Sequence, residues 1–89
     1  MNHNIHLTSA GNTYNGCLYV LRTKGCQLSV EEFDENGSVE LLWRAEKDGN
    51  TFAADSPVEL LGIYTLWENL GEGWNHQKPD ILNELFEAP

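Results

Sequence analysis

The chain has 89 residues, 40% of them hydrophobic, and sets 14 Asp and Glu against 5 Lys and Arg for a formal charge of -9. That length fits one domain with a modest core, so residues 1–89 are read as a single unit, and three Trp, three Tyr and three Phe suffice to order it. Five bases against fourteen acids exclude a basic nucleic-acid stripe, the field repels anionic membrane, and no apolar run approaches the ~18 residues of a membrane helix.

Residues 1–16 form a polar, Asn-rich N-terminal segment, with a short strand expected at His3 to Thr8 and a turn around Gly11-Asn12. The segment offers neither Lys nor Arg nor an apolar h-region, so the expectation is a cytoplasmic chain without a secretory signal. All acids lie at or beyond Glu31, whereas residues 1–30 carry only the bases Arg22 and Lys24.

From Cys17 the pattern predicts an antiparallel meander of three to four strands, at Cys17 to Arg22, Cys26 to Phe33, Val39 to Glu46 and Thr51 to Ala54. Thr23-Lys24-Gly25 reads as a three-residue hairpin loop with Gly in the left-handed position, Asn36-Gly37 as a two-residue type I′ turn, and Asp48-Gly49 as the start of a third turn. The Asn36-Gly37 turn sets Val30 opposite Trp43 and Leu28 opposite Ala45. A four-residue loop from Asp34 to Gly37 would oppose Glu31 and Glu40, which is unfavourable. The first loop then pairs Arg22 with Cys26, Val20 with Leu28 and Leu18 with Val30, so these residues join Leu41 and Trp43 on the core face. A two-residue loop at Lys24-Gly25 would flip the first strand and demand a positive φ at Lys24. The other face carries Cys17, Tyr19, Leu21, Gln27, Ser29, Glu31, Phe33, Glu40, Leu42, Arg44 and Glu46, an apolar and charged mixture that suggests a cover or a partner.

Ser56 to Trp74 carries the strongest local signal. Ser56 at the N-cap, Pro57 at the first helical position and Glu59 three residues on specify a helix start. Leu60, Ile63, Tyr64, Trp67 and Leu70 recur at helical spacing, widened by Leu61 and Leu66, and Gly71 supplies the stop, with Trp74 folding back on the last turn. After a polar link at Asn75 to Lys78, Pro79 to Glu87 read as a short second helix with an apolar edge of Ile81, Leu82, Leu85 and Phe86. The fold class is therefore α+β, a meander followed by an amphipathic helix packed on one face and a short C-terminal helix.

Chemistry-bearing residues form no persuasive set. Cys17 and Cys26 are too few for a disulfide framework, lack metal or redox spacing, and read as thiols packed in or against the sheet. His3 and His6 read as a solvated terminus and His76 as a loop residue. Glu31, Glu32, Asp34 and Glu35 flank a hairpin without the spacing of a calcium loop or an acid/base pair. Ser9, Ser29, Ser38 and Ser56 lie in no nucleophile elbow, and Gly71-Glu72-Gly73 closes a helix rather than opening one on a phosphate. The sequence implies neither catalysis nor a cofactor nor a metal.

The expectation that follows is a small acidic protein-binding module, of the inhibitor or immunity type or an accessory subunit, docking on a basic partner. Tyr19, Glu31, Phe33, Glu35, Glu40, Leu42 and Glu46 are its contact residues. The alternative is a small-ligand-binding domain with an aromatic cleft of Trp43, Tyr64, Trp67 and Trp74 between helix and sheet. The second face and the Thr51 to Ala54 edge are also candidate homodimer surfaces.

Overall fold

A computed structural model describes residues 5, 7, 11–75 and 78–87. A helix α1 (Gly11–Thr23) is followed by β1 (Gln27–Glu35), β2 (Ser38–Lys47) and β3 (Asn50–Ala54), then by α2 (Pro57–Leu70), a 3-10 extension (Gly71–Asn75) and α3 (Ile81–Glu87). The strands form one antiparallel sheet in the order β1-β2-β3, so the fold is α+β with a three-stranded meander. The strand expected at His3 to Thr8 lies, apart from Ile5 and Leu7, outside the described residues, as do His3, His6 and His76.

The hairpins follow from their turn chemistry. Asn36 and Gly37 take φ of 53 and 82°, and Asp48 and Gly49 take 51 and 82°, the paired positive values of two-residue type I′ turns. The first turn fixes the expected register, with Val30 opposite Trp43 and Leu28 opposite Ala45, and the second places Phe52 opposite Ala45 and Ala54 opposite Trp43. Leu28, Trp43, Ala45, Phe52 and Ala54 thereby share the face turned to the helices.

The strand expected at Cys17 to Arg22 is instead the second half of α1. Tyr14, Cys17, Leu18 and Leu21 stand at i, i+3, i+4 and i+7 and are the hydrophobic residues that α1 turns inward, Leu21 completely. A window opened at Cys17 misses Tyr14 and is too short to separate the helical period from a strand run. Gly25 does adopt the expected positive φ, 92°, but as the stop of a helix. The Cys26 amide donates to the Leu21 carbonyl at 3.1 Å and the Gly25 amide to that of Arg22 at 3.0 Å, which is a Schellman closure. The pairings of Arg22 with Cys26, Val20 with Leu28 and Leu18 with Val30 are therefore not formed, and Leu21 belongs to the core instead of Val20.

α2 begins as its sequence dictates. The Ser56 hydroxyl accepts from the Glu59 amide at 3.2 Å with Pro57 in the first turn, and the Gly71 amide closes the far end on the Trp67 carbonyl. Leu60 and Tyr64 are fully buried, and together with Leu21, Cys26 and Ala45 they form the core. α1 and α2 lie side by side on the sheet, joined at the surface by Lys24 and Glu68 at 3.1 Å. They cover only the proximal part of the hairpin, so Val30, Val39 and Leu41 are exposed although they stand on the core face. α3 buries none of its residues, and its apolar edge covers neither an end nor the second face of the sheet. Among the described residues no helix is long and apolar enough to cross a membrane.

Candidate functional site

The sheet face opposite the helices gathers most of the expected contact residues. Strand alternation puts Glu31, Phe33 and Glu35 of β1 beside Glu40, Leu42 and Glu46 of β2, with Phe33 opposite Glu40 and Glu31 opposite Leu42. Phe33 is exposed and Leu42 half-buried, and no described helix packs over them. The one base on this face, Arg44, is held by Glu31 at 3.1 Å in an exposed pair that adds ~0–1 kcal/mol to stability. Its charge is thereby neutralised locally, and the remaining acids set the sign of the face.

Tyr19 is not part of this group. It lies on α1, on the other side of the sheet, beside Leu18, Arg22 and Val30. The expectation that joined it to Phe33 and Leu42 depended on a first strand, and the helix removes its basis. Cys17 and Leu21 leave the second face for the same reason.

The four residues expected to line one aromatic cleft are divided by the packing. Tyr64 is fully buried, edge-on to Phe52 with ring centroids 5.3 Å apart and tilted against Trp67 at 6.2 Å. Trp43 is turned to the α1 side, where Tyr14 meets it edge-on at 6.5 Å. Only Trp67 and Trp74 share an open space, a groove of about 670 Å³ along β3 that Phe52, Ile63 and Leu66 complete. Phe52 lines this groove and packs edge-on to the buried Tyr64, which does not line it.

One polar constellation lies under the helices. The Lys47 ammonium donates to the Tyr64 hydroxyl at 3.4 Å, and that hydroxyl also bonds the buried Cys26 thiol. Burial pushes the thiol pKa up, the Tyr64 bond only partly opposing it, while the Tyr64 bond raises that of Lys47. An elevated thiol pKa means that the native state keeps a proton the unfolded chain releases near pH 8.5. An elevated lysine pKa likewise contributes stability below about pH 10.4, and that contribution is lost as pH rises through the folded value. Both groups therefore weaken the fold on the alkaline side. Stability measured by urea unfolding is expected to fall above about pH 8.5, and the decline should be shallower in Cys26→Ala. An equally steep alkaline decline in that variant would remove Cys26 from the explanation.

Both cysteines are free. Cys26 is buried at the mouth of β1 as expected of a packed thiol, whereas Cys17 is half-buried on α1 rather than on a hairpin arm. Among the described residues no three His, Cys, Asp or Glu side chains are grouped to hold a metal ion. No protein-family model matches this chain, and no curated protein or solved structure matches it either.

Proposed function

We propose that the chain is a protein-binding module that docks a basic partner on its uncovered sheet face, as an inhibitor, an immunity-type protein or an accessory subunit would. The observation that carries this reading is the placement of Phe33 and Leu42 among Glu31, Glu35, Glu40 and Glu46 on a face that no described helix covers. An apolar centre inside a charged rim divides the work of recognition. The rim speeds encounter with a partner of opposite sign, and the centre sets residence time once water is expelled.

The two parts predict different kinetic signatures. Capture from native lysate at low salt, followed by kinetics on the recovered basic protein, is the test. Glu35→Lys combined with Glu40→Lys should slow association at least about tenfold at low salt, with the difference shrinking as salt is raised. Phe33→Ala or Leu42→Ala should leave association nearly unchanged and speed dissociation, by roughly 1–2 kcal/mol in affinity if these residues are the centre. An association rate at low salt that the charge-reversed variant leaves unchanged would sink the proposal.

A further inference from the structure

The groove along β3 has features that the docking face does not explain. In this acidic chain β3 (Asn-Thr-Phe-Ala-Ala) contains no charged residue and no proline, although it is an edge strand. The opposite edge, β1, is guarded by Glu31, Glu32, Asp34 and Glu35. Beyond its ladder with β2, no described hydrogen bond engages the β3 backbone, so its outer amides and carbonyls face outward unpaired. Above this edge α2 presents a second apolar row, Ile63, Leu66 and Leu70, at i, i+3 and i+7, all exposed and unused by the core. Ile63 and Leu66 of this row, with Phe52, Trp67 and Trp74, wall the groove of about 670 Å³ that runs along β3.

From this geometry we infer that the β3 edge accepts an extended segment of a basic protein as a fourth strand, its alternate side chains entering the groove under Ile63, Leu66 and Trp74. Backbone pairing supplies the direction of binding and the groove supplies side-chain selection, the division of roles found when a peptide extends a sheet. Charge decides the occupant. Asp48 and Asp55 flank β3 at its two ends and Glu72 stands on the groove wall, while Lys78 is engaged by the Trp74 carbonyl at 2.6 Å. A second copy of this chain pairing antiparallel with Thr51 opposite Phe52 would set Asp48 of each copy opposite Asp55 of the other, a repeated like-charge contact. A segment with Lys or Arg at each end of an alternating apolar run meets those carboxylates with opposite charge. The two basic positions would stand on the order of 20 Å apart, six to eight residues of strand at ~3.3 Å each. This site is separate from the docking face and stands whether or not that face binds.

A displayed library of random twelve-residue peptides, selected on the full chain, tests the inference without presuming a sequence. The expected result is a consensus with Lys or Arg six to eight positions apart and apolar residues alternating between them. The synthetic consensus peptide should slow hydrogen exchange at β3 amides at least tenfold. Asp48→Lys with Asp55→Lys should weaken its binding at least tenfold, and Leu66→Glu, at a surface position, should abolish it while the circular dichroism spectrum stays native. Glu35→Lys with Glu40→Lys should leave it within twofold. No enriched consensus, an acid-flanked one, or protection elsewhere than β3 overturns the inference. So does sensitivity to the docking-face variant, or sedimentation of the free chain as a dimer with β3 already protected.

Discussion

Tyr64→Ala is expected to remove about 3–5 kcal/mol, enough to bring a small domain of ~5–15 kcal/mol total stability near its unfolding threshold. Tyr64 is the largest of the fully buried side chains, it closes an aromatic trio with Phe52 and Trp67, and its hydroxyl receives the Lys47 ammonium. Truncation opens a cavity between α2 and β3 and leaves the Cys26 thiol and the Lys47 ammonium without their common partner. In a chain of this size each kcal/mol moves the melting temperature by about 4–8 °C, so a fall of roughly 15 °C or more is expected. Tyr64→Phe separates the contributions, since it keeps the ring packing and forfeits only the hydroxyl bonds, at about 1 kcal/mol. Urea unfolding followed by tryptophan fluorescence measures both. If Tyr64→Ala cost less than about 1 kcal/mol, the helix-to-sheet packing described above would be wrong.

The contrast between Tyr64 and Leu21 shows what was legible in the sequence. The sequence alone places Tyr64 on a helix against the sheet because its signals are local and agree with one another. Ser56, Pro57 and Glu59 open α2, Gly71 ends it, and Leu60 to Trp67 repeat at the helical period. The β1-β2 register is legible for a related reason, because a two-residue turn at Asn36 and Gly37 fixes one pairing and avoids the Glu31–Glu40 opposition that a four-residue loop would impose. Neither argument required knowledge of distant parts of the chain.

Leu21 defies local reading because its environment is set by residues far away. α1 is built from poor helix formers, including Gly11, Asn12, Thr13, Asn15 and Gly16, so its local preference opposes the element it forms. What holds it is tertiary: Leu21 packs among Cys26, Ala45, Leu60 and Tyr64, and the Schellman closure at Gly25 returns the chain to β1. The same limit applied to the candidate site. Alternation along two well-defined strands assembled Glu31, Phe33, Glu35, Glu40, Leu42 and Glu46 on one face. Tyr19 joins that face only if the alternation extends through a segment that is helical, and the four aromatic residues form no single cleft because composition cannot say which of two sides a tryptophan will face. The groove over β3 depends on α2 overhanging an edge strand, a three-dimensional relation with no short-range signature.

Two alanine substitutions in adjacent positions distinguish the helical α1 from a strand outright. Leu21 has no exposed surface and should cost about 2–5 kcal/mol when cut to alanine, whereas Val20, 37% exposed, should cost under about 0.5–1 kcal/mol. Leu21→Ala should also act locally, because Leu21 is the one fully buried side chain of α1, whose other inward hydrophobic residues, Tyr14, Cys17 and Leu18, are half-buried. Amide exchange in residues 17–22 should therefore accelerate more than in β2, marking α1 as the first unit to open. A first strand with Val20 opposite Leu28 reverses the order, because it buries Val20 and turns Leu21 outward. A larger loss from Val20→Ala than from Leu21→Ala would thus restore the fourth strand, return Tyr19 to the face that carries Phe33, and redraw the docking face with it.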